Sequence, residues 1–201
     1  MPFDPAPRPF ELNRFRDYAR QRQMTLDDLL LENRIVILEY PIDSRVASHI
    51  IKQLLYLQFE NRTQGISFYI NSPGGSVRDG LAIYDTMQLI SPDVNTVCIG
   101  MAGSMATVLL AGGAKGKRYA LPNSTIHFHP ASAGMEGSAP DVERAVNELL
   151  RLQRLTSELI GQGTGKTANQ VEIDFSRDRF LTAGEAKEYG FIDHILDRSA
   201  G

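Results

Sequence analysis

Short apolar runs alternate with amphipathic, helix-patterned stretches along most of this chain, and that alternation narrows its fold more than any other feature. Strands are read near Arg34–Glu39, Ile66–Asn71, Val94–Ile99, Arg118–Leu121, Thr125–His129 and Phe191–Leu196. Helices fall at about Arg45–Glu60, Val77–Ile90, Ser104–Ala111, Pro140–Ile160 and Ala183–Tyr189. The last helix opens on a capping pair, Thr182 with Glu185, and stops at Gly190. Strand–helix repetition of this kind indicates an α/β architecture. With 201 residues, 42% of them hydrophobic, the chain can bury one sizeable core without disulfides, so one domain with an appended helix is expected.

Charge and composition exclude several classes of partner. A formal net charge of −3 and an isoelectric point near 5.8 give no strong attraction to nucleic acid or to an anionic membrane. No apolar run is long enough to span a bilayer, and Met1–Pro9 has no hydrophobic signal core. The single cysteine, Cys98, lies in an apolar strand and reads as a small core residue. A cytoplasmic or similarly reducing compartment is the expectation.

Chemistry concentrates at Gly100-Met101-Ala102-Gly103-Ser104-Met105-Ala106. A serine among small residues at a strand-to-helix turn has its hydroxyl at a helix N-terminus, where free N–H groups favour developing negative charge. Small neighbours leave room for a substrate backbone. Tight helix–sheet packing produces the same composition, so other segments must decide. His129, at the end of a short strand, supplies a general base for the serine proton. Asp178 lies between Arg177 and Arg179, which keep it ionised, as a group that orients an imidazolium must be.

His127 sits two residues before His129 and faces the same side of the strand. No Cys or carboxylate cluster accompanies the pair, so a packing or supporting role is favoured over a metal site, and neither a metal nor a cofactor is expected. His49 and His194 read as surface residues. The long helix from Pro140 carries an apolar face of Val142, Ala145, Val146, Leu149, Leu150, Leu152 and Leu159, with Ser138 as its cap.

At this point the sequence resembles the ClpP family, the proteolytic subunits of Clp proteases. The motifs that carry the resemblance are Tyr69-Ile70-Asn71-Ser72-Pro73-Gly74-Gly75, Ile83-Tyr84-Asp85-Thr86-Met87-Gln88 and Gly113–Tyr119 with Leu121-Pro122-Asn123-Ser124. Arg177-Asp178-Arg179-Phe180-Leu181 with Glu185-Ala186 and Tyr189-Gly190 completes them, and the likeness covers about Leu29 to Leu196.

The resemblance implies an α/β spiral of ββα units, shared with crotonases, with a projecting handle at about 130–162 in a peptidase domain of residues 26–201. It assigns the catalytic serine, histidine and aspartate to Ser104, His129 and Asp178, and the oxyanion-binding amides to Gly75 and Met105. Ser72-Pro73-Gly74-Gly75 agrees, since glycines between a strand and a helix can aim an N–H at a tetrahedral intermediate, although the motif alone also fits an ordinary turn. The activity implied is serine-type endopeptidase hydrolysis of unfolded polypeptides inside a secluded chamber. Partners implied are an AAA+ unfoldase of the ClpX, ClpA or ClpC type and further copies of the chain in stacked heptameric rings, either alone or mixed with a second subunit type.

The docking surface for the unfoldase falls on Tyr69, Val97, Ile99, Tyr119, Leu121 and Leu196, and the peptide channel is lined near Ala133–Gly137. Departures from the family pattern are Pro130-Ala131 in place of Gln-Pro, Ser176 in place of an acid that pairs rings, Ser67 in place of an aromatic, and Gly103 in place of alanine, which should loosen the turn. Residues 1–25 do not match the family's axial loop. A noncatalytic partner in a mixed ring or an acyl-CoA-handling crotonase would leave the Ser104, His129 and Asp178 combination unexplained.

Overall fold

Hydrophobic alternation decides which strands are buried on which face, and helices then cover the more apolar one. The computed structural model describes residues 24–130 and 137–197. A helix α1 (Leu26–Glu32) leads into β1 (Ile35–Leu38), followed by α2 (Ser44–Glu60), β2 (Ile66–Ser72), α3 (Val77–Leu89), β3 (Val94–Gly103) and α4 (Met105–Ala111). Then come β4 (Arg118–Ala120), β5 (Thr125–Phe128), α5 (Ala139–Thr164), α6 (Ala168–Asp174), β6 (Arg179–Thr182), α7 (Ala183–Tyr189) and β7 (His194–Ile195). The α/β class read from the sequence is the class observed.

The sheet runs β1-β2-β3-β4-β7, all parallel; β5 pairs parallel to the C-terminal end of β3, and β6 pairs antiparallel to β5. Strand β3 therefore serves two neighbours on one side, β4 through Thr96–Cys98 and β5 through Met101–Gly103. The change occurs at Gly100, whose φ of +108° bends the strand where a Cβ would lie 2.8 Å from Asn71 Oδ1. Asn71 Oδ1 accepts from Met101 N–H there, and Ser124 Oγ accepts from Gly100 N–H. The sequence pattern stops β3 at Ile99 because glycine breaks the apolar run, whereas these bonds carry it on to Gly103.

On one face of the sheet, Val36, Leu38, Ile66, Phe68, Ile70 and Cys98 pack against Ile50, Leu54, Leu57 and Ile83 of α2 and α3. All seven residues of α4 are buried, which is what a short helix that is apolar all round requires. Arg34, at φ +59°, is also buried, and its guanidinium donates to the carbonyls of Leu57, Asn61, Gln64 and Gly65. It ties the loop at residues 61–65 to the last turn of α2, where Leu57 O also accepts from Asn61 N–H.

Three further elements are absent from the sequence reading: α1, α6 and β6 are seven, seven and four residues long, too short for a periodic pattern to emerge. The strand expected over Phe191–Leu196 shrinks to His194–Ile195, because Phe191 and Ile192 turn into the core and Asp193 is bound by Arg118. Ser138 stands at the N-cap of α5, but its hydroxyl donates to Asp141 Oδ2 rather than accepting from a helix N–H.

From Ala139 to Arg151 no residue of α5 is buried, whereas Leu152, Thr156, Ser157, Ile160 and Gly161 are. The helix is about 39 Å long at 1.5 Å per residue, so roughly half of it projects from the domain. Exposed Val146 and Leu150 lie on that half. Residues 1–23 of the N-terminal segment and Ala133–Glu136 of the expected channel lining fall outside the described residues. Among the described residues, no helix is long and apolar enough to cross a membrane.

Candidate active site

The turn from β3 into α4 is strained at one residue, Ser104. Its φ of +50° and ψ of −119° are outside the regions an L-residue adopts freely, and Arg34 is the other described non-glycine with positive φ. Strain of this kind costs on the order of 1–3 kcal/mol and persists where the surroundings impose it. Two donors impose it here: Ser104 N–H donates to His127 O (2.7 Å), and the Thr107 hydroxyl shares its one proton between the Ala102 and His127 carbonyls, 2.8 and 2.9 Å from Oγ1. A serine on a sharp strand-to-helix turn holds its hydroxyl clear of the backbone, as a nucleophile requires. Thr107 is a buried fixing residue that sequence reading missed; its hydroxyl is inconspicuous within an apolar helix.

Gly74 and Gly75 bring a second loop against this turn. At Gly74 (φ +91°) a Cβ would come within 2.4 Å of Gly103 O, 2.8 Å of Ser104 Cβ and 2.9 Å of Met105 N. At Gly75 (φ +148°) it would come within 2.3 Å of Ile42 O. Ile42 grips the loop from behind: Ile42 N–H donates to Gly74 O and Ser76 N–H donates to Ile42 O. That pattern leaves the Gly75 N–H facing away from Ile42. Among the described residues neither Gly75 N–H nor Met105 N–H has an acceptor. Two unused donors beside a strained serine suit an oxyanion. Gly103 does not simply loosen the turn, because a Cβ there would lie 2.8 Å from Pro73 O; the glycine permits the close approach of the two loops.

The strand registers set the remaining residues. Gly103 is paired with His127, so β5 ends beside Ser104. In the antiparallel β5–β6 ladder, His127 faces Phe180 and Phe128 faces Arg179. One further step puts His129 opposite Asp178, and opposite residues of such a ladder point to the same face. Ser104, His129 and Asp178 thus stand at the adjoining ends of β3, β5 and β6, at the carboxyl ends of the parallel strands β3 and β5.

The side chains are not joined in this structure. His129 Nδ1 lies 2.8 Å from Pro130 O, and no hydrogen bond links His129 to Ser104 or to Asp178. Asp178, 67% exposed, has its Oδ2 3.6 Å from Nε2 of His127 instead. His127 is buried flat against Phe180, with ring centroids 3.9 Å apart and planes 4° from parallel. Desolvation, followed by the neighbouring His129, pushes the His127 pKa below the ordinary histidine value, and Asp178 acts in the opposite direction.

The residues assigned to docking occupy the other side of the sheet. Tyr69, Val97 and Tyr119 pair in one row across β2, β3 and β4, on the face turned away from the core. Val97 and Tyr119 are buried, Tyr69, Ile99 and Leu196 half-buried, and Leu121 is 39% exposed. His49 and His194 are exposed, and His194 stacks on Tyr119. Among the described residues no cluster of His, Cys, Asp and Glu could hold a metal ion.

Comparison with known proteins shows the family to which the chain belongs. The Clp protease family model matches residues 19–199. The ATP-dependent Clp protease proteolytic subunit 1 of Rhodopirellula baltica is 51% identical over 182 residues, 90% of this chain and 80% of that protein. The ATP-dependent Clp protease proteolytic subunit of Dehalococcoides mccartyi is 49% identical over 178 residues, 89% of each chain. On the extent of these matches, the chain belongs to the Clp protease family.

Proposed function

We propose that Ser104 is the nucleophile, His129 the general base and Asp178 the orienting acid of this serine-type peptidase. His129 takes the Ser104 proton as Oγ attacks the scissile carbonyl, and returns it to the leaving amine. Water then hydrolyses the acyl-enzyme by the same relay. The amides of Gly75 and Met105 receive the oxyanion of both tetrahedral intermediates, each donor contributing about 3 kcal/mol to the transition state. The observation that carries the reading is the meeting of three strand ends at a serine held in a strained turn. Closing the triad takes new side-chain rotamers for His129 and Asp178, with the ladder register unchanged.

The machine we envisage is ATP-dependent, with ATP consumed by an AAA+ unfoldase, since this chain has no Gly-x-x-x-x-Gly-Lys-Ser/Thr phosphate loop. The row Tyr69, Val97, Ile99, Tyr119, Leu121 and Leu196 receives an apolar anchor of that partner. Unfolded polypeptide is the substrate, and the cytoplasm is the compartment. Copies of the chain assemble into stacked heptameric rings, or mix with a second subunit type, with the projecting half of α5 between rings. Without an acid at Ser176 the ring contact rests on that apolar face, because a buried leucine contributes roughly 2 kcal/mol and an exposed ion pair about 0–1.

A fluorophosphonate tests the centre directly. It should modify Ser104, identified by peptide mass, and Ser104→Ala should lose both labelling and peptide turnover while keeping the assembly's mass. Peptide turnover that survives in Ser104→Ala would overturn the assignment.

A further inference from the structure

His127 on β5 and His129 just past its end lie on the same side of the chain, and a general base needs only one. His127 is 14% exposed in its side chain, and its Nε2 is buried with no hydrogen-bond partner. His127 is mostly enclosed and stacks face to face on Phe180, which is itself 61% exposed, whereas the Asp178 side chain 3.6 Å away is 67% exposed and free to turn. Along the ladder Asp178 is opposite His129 and diagonal to His127, so one carboxylate stands within reach of both imidazoles. In the structure it leans to His127, while the Nδ1 that should meet it on His129 is occupied by Pro130 O.

We infer that His127 is a positioning residue that competes with His129 for the Asp178 carboxylate, and so sets the fraction of molecules whose triad is closed. This rests on the catalytic reading above. In its Nε2–H tautomer the orphaned nitrogen gains an acceptor if Asp178 moves in by less than 1 Å.

The groups that face His127 are Asp178, just before β6, and His129, just past the end of β5; Phe180 and Gly103, its partners on β6 and β3, are uncharged. Arg179 points to the other side, over Phe175. Burial disfavours the charged form of His127, so with the ring neutral it competes for Asp178 only as a neutral donor. Below its depressed pKa the imidazolium forms a charge-assisted bond to Asp178, roughly twice as strong as a neutral one. Acid therefore acts twice, once by protonating the base and once by drawing away the acid that orients it.

The test uses the full chain in its native assembly, comparing wild type with His127→Phe, which keeps a flat ring on Phe180, and His127→Gln, which keeps a neutral donor. Fluorophosphonate labelling of Ser104 and kcat/KM for a short peptide are followed from pH 5 to 9. For His127→Phe we expect labelling at pH 6 to be faster, on the order of threefold to tenfold, with KM little changed and the gap narrowing as pH rises to the smaller, constant advantage left by removing a neutral competitor. The acid limb of log kcat/KM should fall with a slope near one in both variants and more steeply in wild type. Identical acid limbs in all three proteins, or slower labelling in a His127→Phe protein with native circular dichroism, would overturn the inference. Should His127→Phe not fold, the acid limb of His127→Gln decides alone. Labelling absent from Ser104 in wild type would refute the catalytic reading instead.

Discussion

Replacing Gly74 by alanine tests whether the oxyanion loop and the serine turn are built as one unit. The new Cβ meets Gly103 O at 2.4 Å, Ser104 Cβ at 2.8 Å and Met105 N at 2.9 Å. None of these atoms is the loose end of a side chain. Retreat is blocked on the other side by the hydrogen bonds between Ile42 and the Gly74–Ser76 segment. The substitution also puts an L-residue at φ +91°, a conformation that costs about 1–2 kcal/mol.

The loop must shift, so the Gly75 and Met105 amides no longer converge. Loss of one such donor lowers kcat by roughly 10²–10³-fold, about 3 kcal/mol. Gly116→Ala is the control: φ is +82° there, but nothing lies within 4 Å of the added carbon. It should lower stability by about 1 kcal/mol and leave hydrolysis of a fluorogenic peptide unchanged. Both variants are compared by kcat and by the midpoint of urea unfolding. A Gly74→Ala protein with kcat within threefold of wild type would refute the argument, and an equal activity loss in Gly116→Ala would assign the effect to stability rather than to geometry.

Arg34→Met should destabilise the fold by about 3 kcal/mol, read from the urea midpoint, since it removes the guanidinium donor from the carbonyls of Asn61, Gln64 and Gly65 and leaves Leu57 O with Asn61 N–H alone; Arg34→Lys should recover roughly half at most, lacking the planar fork. Asp193 is pulled up by burial, but hydrogen bonds and charge from Arg118 outweigh this and leave its pKa below the ordinary value. A depressed acid stabilises above its unfolded pKa and loses that contribution as pH falls through the folded one, so wild-type stability should decline below about pH 4. Asp193→Asn should flatten that decline and cost about 3 kcal/mol at pH 7 by leaving Arg118 buried and unpaired, as followed by thermal melts across pH. Leu121→Glu, at an exposed position, should weaken unfoldase-dependent proteolysis far more than short-peptide hydrolysis; equal losses would argue against docking there.

Most of the architecture could be read from the chain because long elements carry a periodic signal. α2, α3 and α5 lie within a few residues of their expected limits, and the capping box of Thr182 and Glu185 is present with Gly190 as the left-handed stop. The short elements could not be read. β6 exposes three of its four side chains, and nothing local distinguishes Arg179–Thr182 from a loop until β5 supplies its hydrogen bonds.

The site divides along the same line. Residue type and order pointed to Ser104, His129 and Asp178, because small residues at a turn, a histidine at a strand end and an acid between arginines are local patterns. Ser72-Pro73-Gly74-Gly75 alone also fits an ordinary turn, and only the family resemblance assigned Gly75. The sequence also determined that His127 shares a face with His129, since side chains alternate along a strand. Only tertiary structure decided that Ser104 sits at φ +50°, that Ile42 grips the oxyanion loop from behind, and that Asp178 leans to His127. Each of these depends on groups distant in sequence, 32 residues apart for the loop and its anchor and 51 for the acid and the histidine it faces. Local chemistry names the residues, while the pairing of β3 with β5 and of β5 with β6 sets their distances.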